Sequence, residues 1–365
     1  MSDMKKKKVI FVVLAVILVV ALILGGLSLY GKHQMKKIPA LTYMESLEYT
    51  TQDKPEAVIT IGIIKDGQIS FTVYGENGKV LEPELHTYEI GSITKTVTAA
   101  LINKAVNDGL LSLDQTIDHY LDLPAGNEYP TTMELLTHTS GYKGFYFEKP
   151  MISNFLNGRN DYYGITREMV LNRVSKLNLD RDNYDFKYSN FGYAVLGLVL
   201  ETVYETDYPT LANHFLQHDL GMLNTRVLGT DGDLGKYWEW KETDAYLSAG
   251  DIRSNIEDML LYAQMQLDNN PYFIKCHDSL KTINDSTERY RLMDINIDEI
   301  GMAWSIDNEN GIIWHNGATG SYNAYIGFSP TTGNAVVVLS NLASNYRIPA
   351  TVIGVKLLKE LNTGE

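Results

Sequence analysis

The 365-residue sequence predicts an α+β protein. The expected form is an α/β sandwich whose antiparallel sheet is flanked by helices, with a mostly helical region inserted between its strands. Three observations carry that expectation. Strand-like patterns cluster near 57–75 and again near 300–340, at opposite ends of the chain. Between them, apolar residues recur at helical spacing. Ahead of both lies an uncharged, strongly apolar run.

That run, VIFVVLAVILVVALILGGLSLY at residues 9–30, is 22 residues long, enough to cross a hydrocarbon core as a helix. It is long for a secretory signal, and neither an A-x-A site nor a nearby cysteine follows it, so it reads as an uncleaved anchor. Lys5–Lys8 favour a cytoplasmic tail at 1–8, although Lys32, Lys36 and Lys37 blunt the bias. A linker at 31–40 then leads to a catalytic domain at 41–361, outside the cell in a single-pass topology. Its α/β part spans about 41–91 and 300–361, and its helical part about 92–299.

The formal net charge is −14, and residues beyond 37 hold 24 basic against 44 acidic groups. Nucleic acid is therefore excluded as a partner, since phosphate contacts need clustered Lys and Arg. Cys276 is the only cysteine, which excludes an internal disulfide and a thiolate zinc cluster.

In chain order, PEAVITIGIIKDGQISFTVYGE reads as two strands, near 57–64 and 68–75, turning at Asp66-Gly67. A helix starts at Ser92 and stops at Asp108-Gly109. Thr131-x-x-Glu134 is a capping box opening a short helix. Residues 190–204 and 255–267 have helical spacing. Two hairpins follow, one with Asn310-Gly311 at its turn and one with a loop near 329–333, and a helix closes the chain from about Pro349 to Leu361. The acidic stretches at 229–235 and 307–311 lack calcium-loop spacing and read as turns. No metal and no cofactor is expected.

Three short motifs point to chemistry. Ser92-Ile-Thr-Lys95 starts a helix, where positions i and i+3 share a face. A serine there gains a proton acceptor if the lysine is buried and its pKa lowered. A second Ser-x-x-Lys, Ser140 to Lys143, sits in a turn-like stretch with nothing to fix its lysine nearby. Tyr188-Ser-Asn190 is the only Tyr-x-Asn, offering a proton-exchanging phenol and an amide for a substrate carbonyl. Its plainer reading is a surface turn capped by an asparagine. His315-Asn316-Gly317 is the only His-x-Gly; its glycine lets a substrate backbone approach the strand. The Ala318 amide then joins that of Ser92 as an oxyanion hole. His315 is either charged, attracting a substrate carboxylate near its ordinary pKa of ~6.5, or a neutral hydrogen-bonding residue.

In this order the three motifs resemble those of the penicillin-recognising serine hydrolases, in the branch of class C β-lactamases, serine DD-carboxypeptidases, D-aminopeptidases and related esterases. ELLTHTSGY (134–142), YSNFGYAVLGLVLE (188–201) and LSAGDIRSNIEDM (247–259) extend the likeness, which covers about 40–361. The resemblance implies a β-lactamase-like or DD-peptidase-like fold with the site between sheet and helical region. It implies an acylated Ser92 and proton transfer shared by Lys95 and Tyr188, with the first base left open. Asn190, His315, Asn316 and Gly317 would bind substrate, and the Ser92 and Ala318 amides would hold the oxyanion. Histidine replaces the Lys-Thr-Gly lysine of β-lactamases, as in carboxypeptidase and esterase relatives. The expected substrate is a D-alanyl peptide or D-alanyl ester of the cell envelope. Alternatives are a broad esterase or weak β-lactamase, and a non-hydrolysing envelope sensor that acylates once and stops.

Overall fold

The structure, a computed structural model, describes residues 36–180, 183–268 and 270–364. The expected tail, the anchor and the first half of the linker lie outside the described residues. Among those described, no helix is long and apolar enough to cross a membrane.

Helix α1 (Tyr43–Thr51) opens with a capping box between Thr42 and Glu45. The sequence showed no helical period there because its buried face is Ser46, Leu47, Thr50 and Thr51, whose threonine hydroxyls bond back to the helix carbonyls. Strands β1 (Ile59–Lys65) and β2 (Gln68–Tyr74) form the expected hairpin. Asp66 and Gly67 both adopt positive φ, 51° and 72°, matching the right-handed twist of the strands they join. The short β3 (Tyr88–Glu89) leads into helix α2 (Thr94–Asn107).

Helix α3 (Asn190–Tyr204) forms the centre of the helical region. Every residue from Phe191 to Leu200 is buried, as an all-round apolar helix requires. The short β4 (Arg253–Ser254) pairs with β3 in a separate two-stranded ladder and precedes α4 (Ile256–Leu267), capped by Asn255. Strands β5 (Lys281–Thr282), β6 (Glu299–Ile300), β7 (Ser305–Asp307), β8 (Ile312–Ala318), β9 (Asn323–Ser329) and β10 (Asn334–Ser340) follow, and α5 (Ala350–Thr363) closes the chain. The β7–β8 hairpin differs in detail from its expected tight turn. Asp307 pairs with Ile312 across a four-residue loop in which Asp307 Oδ1 accepts from the Asn310 amide.

One eight-stranded sheet, in the order β2-β1-β10-β9-β8-β7-β6-β5, is antiparallel throughout. Its centre joins the two ends of the chain, with Ile59 opposite Ser340. Every residue of β9 and β10 is buried because both sheet faces are covered. Ala335, Val337 and Leu339 point into the core shared with α4 and the helical region. Val336 and Val338 point into a second core under α1 and α5. That fixed sheet carries β8 past the start of α2, where the motifs meet.

Candidate active site

Ser92 sits in a single 3-10 turn, Gly91–Ile93, that joins β3 to α2. Gly91 has φ +52°, and a Cβ on it would lie 2.5 Å from the Ala318 amide nitrogen. A Cβ on Gly317 would collide with the Ile90 carbonyl oxygen and come within 2.9 Å of the Ser92 nitrogen. Two glycines thus let the β8 backbone cross the Ile90–Ser92 backbone at van der Waals contact. The crossing brings Ser92 and Ala318 to one cleft. Gly317 also has a reason the sequence did not show: this chain's own backbone needs the space.

Lys95 lies one turn on from Ser92, on an α2 face where Thr94 to Asn103 are all buried. It has no exposed surface. Its Nζ hydrogen-bonds Ser92 Oγ at 3.0 Å and donates to the Ala249 carbonyl at 2.6 Å. Among the described residues no carboxylate pairs with it, and burial drives its pKa well below 10.5. Tyr188 moves the opposite way. It lines the cleft, is 40% exposed as a residue, and its side chain hydrogen-bonds that of Ser92. Burial raises its pKa above the usual 10. Burial thus moves the two groups at the serine hydroxyl in opposite directions, the amine's pKa down and the phenol's up, each toward its uncharged form. Ser140, by contrast, is buried and accepts from the Tyr142 amide, while Lys143 is exposed over the Tyr146 ring.

His315 is 4% exposed, and its Nδ1 donates to the Asn316 carbonyl at 2.6 Å. That bond assigns the proton to Nδ1 and leaves Nε2 as an acceptor. Burial, the largest cause, lowers its pKa to about 3. Burial and the Nδ1 hydrogen bond favour the neutral of the two alternatives for His315. Asn316 lies along the cleft, but its Nδ2 is held by Thr351 Oγ1 at 3.0 Å. Asn190 begins α3, where the cap is Ser189, accepting from Gly192. The Asn190 Nδ2 donates to the Tyr162 hydroxyl at 2.7 Å, which orients the amide.

The cleft has two lobes that share Ser92 and Ala318. One, of about 320 Å³, includes His138, Tyr188, Asp285, Tyr290, Trp314 and His315. The other, of about 220 Å³, includes Asp161, Tyr162, Asn190, Trp238, Trp240 and Tyr246. Buried Glu89 ties them together, accepting from the Trp238 amide at 2.5 Å and from Thr319 Oγ1, next to Ala318, at 2.6 Å. A larger cavity, about 640 Å³ and bordered by Arg167, Asp207 and Arg226, contains none of the motif residues. Among the described residues no group of three or more His, Cys, Asp or Glu is disposed to hold a metal ion.

Comparison with known proteins fits this geometry. The Beta-lactamase family model matches residues 50–352, most of the chain. The chain belongs to the β-lactamase family. Protein Flp of Staphylococcus aureus (strain N315) is 24% identical over 334 residues, covering 83% of this chain. The chain spans 62% of the length of that relative. Two solved structures have the same fold. The octameric penicillin-binding protein homologue from Pyrococcus abyssi has a TM-score of 0.68 at 24% identity, over 88% of this chain and 76% of its own. The β-lactamase/D-alanine carboxypeptidase from Yersinia pestis, complexed with citrate, also has 0.68 at 20% identity, over 90% and 98%.

Within this β-lactamase-family site, the sequence reading gave His138 no role. His138 is buried with φ +57°, its Nδ1 accepts from the Ser189 amide at 3.0 Å, and its ring lies 4.4 Å from that of Tyr188. Its signal was present in ELLTHTSGY, quoted only as family text. Tyr162, Trp238, Trp240, Glu89 and Asp285 were also missed; they stand outside any short motif and meet only through the fold.

Proposed function

We propose that this protein is a membrane-anchored, extracytoplasmic serine hydrolase that acts through an acyl-Ser92 intermediate on D-alanyl groups of the cell envelope. One observation carries the reading: the fully buried Lys95 amine, with no carboxylate partner among the described residues, lies 3.0 Å from the Ser92 hydroxyl. In the proposed sequence, Ser92 Oγ attacks the acyl carbon and its proton passes to the neutral Lys95 Nζ. The Ser92 and Ala318 amides hold the oxyanion, and protonated Tyr188 serves the leaving group. Water then attacks the acyl-enzyme and regenerates Ser92. The relation to a D-alanine carboxypeptidase fold supports the D-alanyl choice, and the apolar run at 9–30 supports the anchor.

Intact-mass analysis of the full-length chain with a phosphonate probe tests the reading. One adduct on Ser92 is expected, lost in Ser92→Ala and kept in Ser140→Ala. Adduct on Ser140 alone would overturn it. Continued D-alanine release from a D-alanyl ester or D-Ala-D-Ala peptide separates a hydrolase from a sensor that acylates once.

A further inference from the structure

One buried carboxylate holds two separate parts of the cleft wall around Ser92. Glu89, three residues before Ser92, is 4% exposed. Its Oε1 accepts from the Trp238 amide at 2.5 Å, and its Oε2 accepts from Thr319 Oγ1 at 2.6 Å. Hydrogen bonds to a carboxylate are shorter and stronger than those between neutral groups.

Each bond leads to a different part of the site. Thr319 directly follows Ala318, and its amide donates to the Tyr322 carbonyl at 3.0 Å. Trp238 lines the smaller lobe together with Ser92 and Ala318, on a stretch, 235–240, with no regular secondary structure. Such a stretch takes its place from the side chains that satisfy its backbone. Glu89 and Arg253 face each other across the β3–β4 ladder, and together they grip one peptide unit on each side of Trp238. Glu89 accepts from its amide, while Arg253 Nη2 donates to its carbonyl at 3.2 Å. The indole then lies against the β8–β9 connection, where a Cβ on Gly320 would come within 2.7 Å of Trp238 Nε1.

We infer that Glu89 is a positioning residue that sets the Ala318 end of β8 and the Trp238 wall of the smaller lobe together. The inference goes beyond the proposed function and rests on its roles for Ser92 and Ala318. Through Oε2, Glu89 restrains Thr319 and with it the neighbouring Ala318 amide. Through Oε1 it fixes how closely Trp238 approaches Ser92. Glutamine in its place keeps both contacts: its oxygen accepts from the Trp238 amide, and its amide group donates to Thr319 Oγ1, since a hydroxyl serves either way. Leucine keeps the bulk but neither bond, and leaves a buried N–H and a hydroxyl without their acceptor.

Full-length protein in detergent, assayed on p-nitrophenyl phenylacetate with tryptophan emission recorded for each variant, tests the inference. Glu89→Leu should lower kcat roughly tenfold, less than outright loss of an oxyanion donor, because the Ala318 amide shifts rather than disappears. It should also raise KM roughly fivefold as the Trp238 wall loosens. Its tryptophan emission should move to the red, and that shift should vanish when Trp238→Phe is added. Thr319→Val removes only the Oε2 contact, so it should reproduce the loss in kcat without the rise in KM or the emission shift. Glu89→Gln should stay within about threefold of the wild type in both constants. A merely structural role would lower the melting temperature without dividing kcat from KM in this way. Wild-type constants in Glu89→Leu, equal losses in Glu89→Gln and Glu89→Leu, or wild-type kcat in Thr319→Val would each overturn the inference and leave the hydrolase reading intact. If Glu89→Leu does not fold, Thr319→Val and Glu89→Gln decide. Absence of a phosphonate adduct on Ser92 in the wild type would overturn both.

Discussion

A Cβ on Gly317 would occupy the space of the Ile90 carbonyl oxygen, so the strand carrying the third motif and the turn carrying Ser92 fit together only without a side chain. The catalytic geometry depends on two backbones that cross at contact.

Gly317→Ala should therefore act on both stability and rate. The added methyl must move β8 away from Ile90, costing about 1–3 kcal/mol of stability as overpacking does. It also displaces the Ala318 amide from the Ser92 amide, so kcat should fall at least ~100-fold. Gly333→Ala, in the exposed β9–β10 loop at φ +72°, should cost about 1–2 kcal/mol of strain and leave kcat unchanged. Thermal melts and steady-state rates on both variants check the contrast.

Lys95 exchanges stability for reactivity. Its folded pKa lies below its ordinary 10.5, so the unfolded chain binds a proton that the folded chain does not. Stability contributed at this site therefore rises with pH between the folded pKa and about 10.5, and at neutral pH it is a penalty. Lys95→Met should raise stability by about 1 kcal/mol at pH 7 while reducing kcat to background. Lys95→Arg should be inactive and less stable, because a guanidinium stays charged in the same buried place. Urea denaturation at pH 7 and pH 9.5 should show the wild-type gap to Lys95→Met closing at the higher pH.

His138 positions Tyr188 through the Ser189 amide and through ring contact. Asparagine tolerates its positive φ and offers an oxygen where Nδ1 accepts. His138→Asn should retain kcat within a few-fold. His138→Leu, which leaves the Ser189 amide unpaired, should lose at least ~10-fold in kcat and about 1–3 kcal/mol of stability. Equal losses in both variants would show that ring stacking, not the hydrogen bond, sets the tyrosine.

The buried imidazoles also shape acid stability. His315 and His277 titrate at about 3 and about 4 in the fold, and His138 lies well below its ordinary 6.5. Below about pH 6.5 the unfolded chain gains protons that these residues refuse, so their contribution to stability falls as pH drops toward 4. The urea midpoint should be lower at pH 5 than at pH 7, and a His277→Gln variant should show a smaller drop. Because His315 stays neutral, KM for D-Ala-D-Ala peptide and for an uncharged ester should run parallel between pH 6 and 8.

The sequence by itself determined the sheet built from both chain ends, the Asp66-Gly67 hairpin, helix α3 to the residue, and the pairing of Ser92 with Lys95. All but the first are local: turn residues set φ, apolar period sets a helix face, and i, i+3 spacing sets one contact, whereas the sheet was legible only from strand patterns at both ends of the chain. Only the tertiary structure decided the charge states, because desolvation depends on everything packed around a group. It moved Lys95 down, Tyr188 up and His315 out of the physiological range. It also assembled the two lobes, since Asp161, Trp238 and Asp285 lie far apart in sequence and share a cleft only where β8 crosses the start of α2.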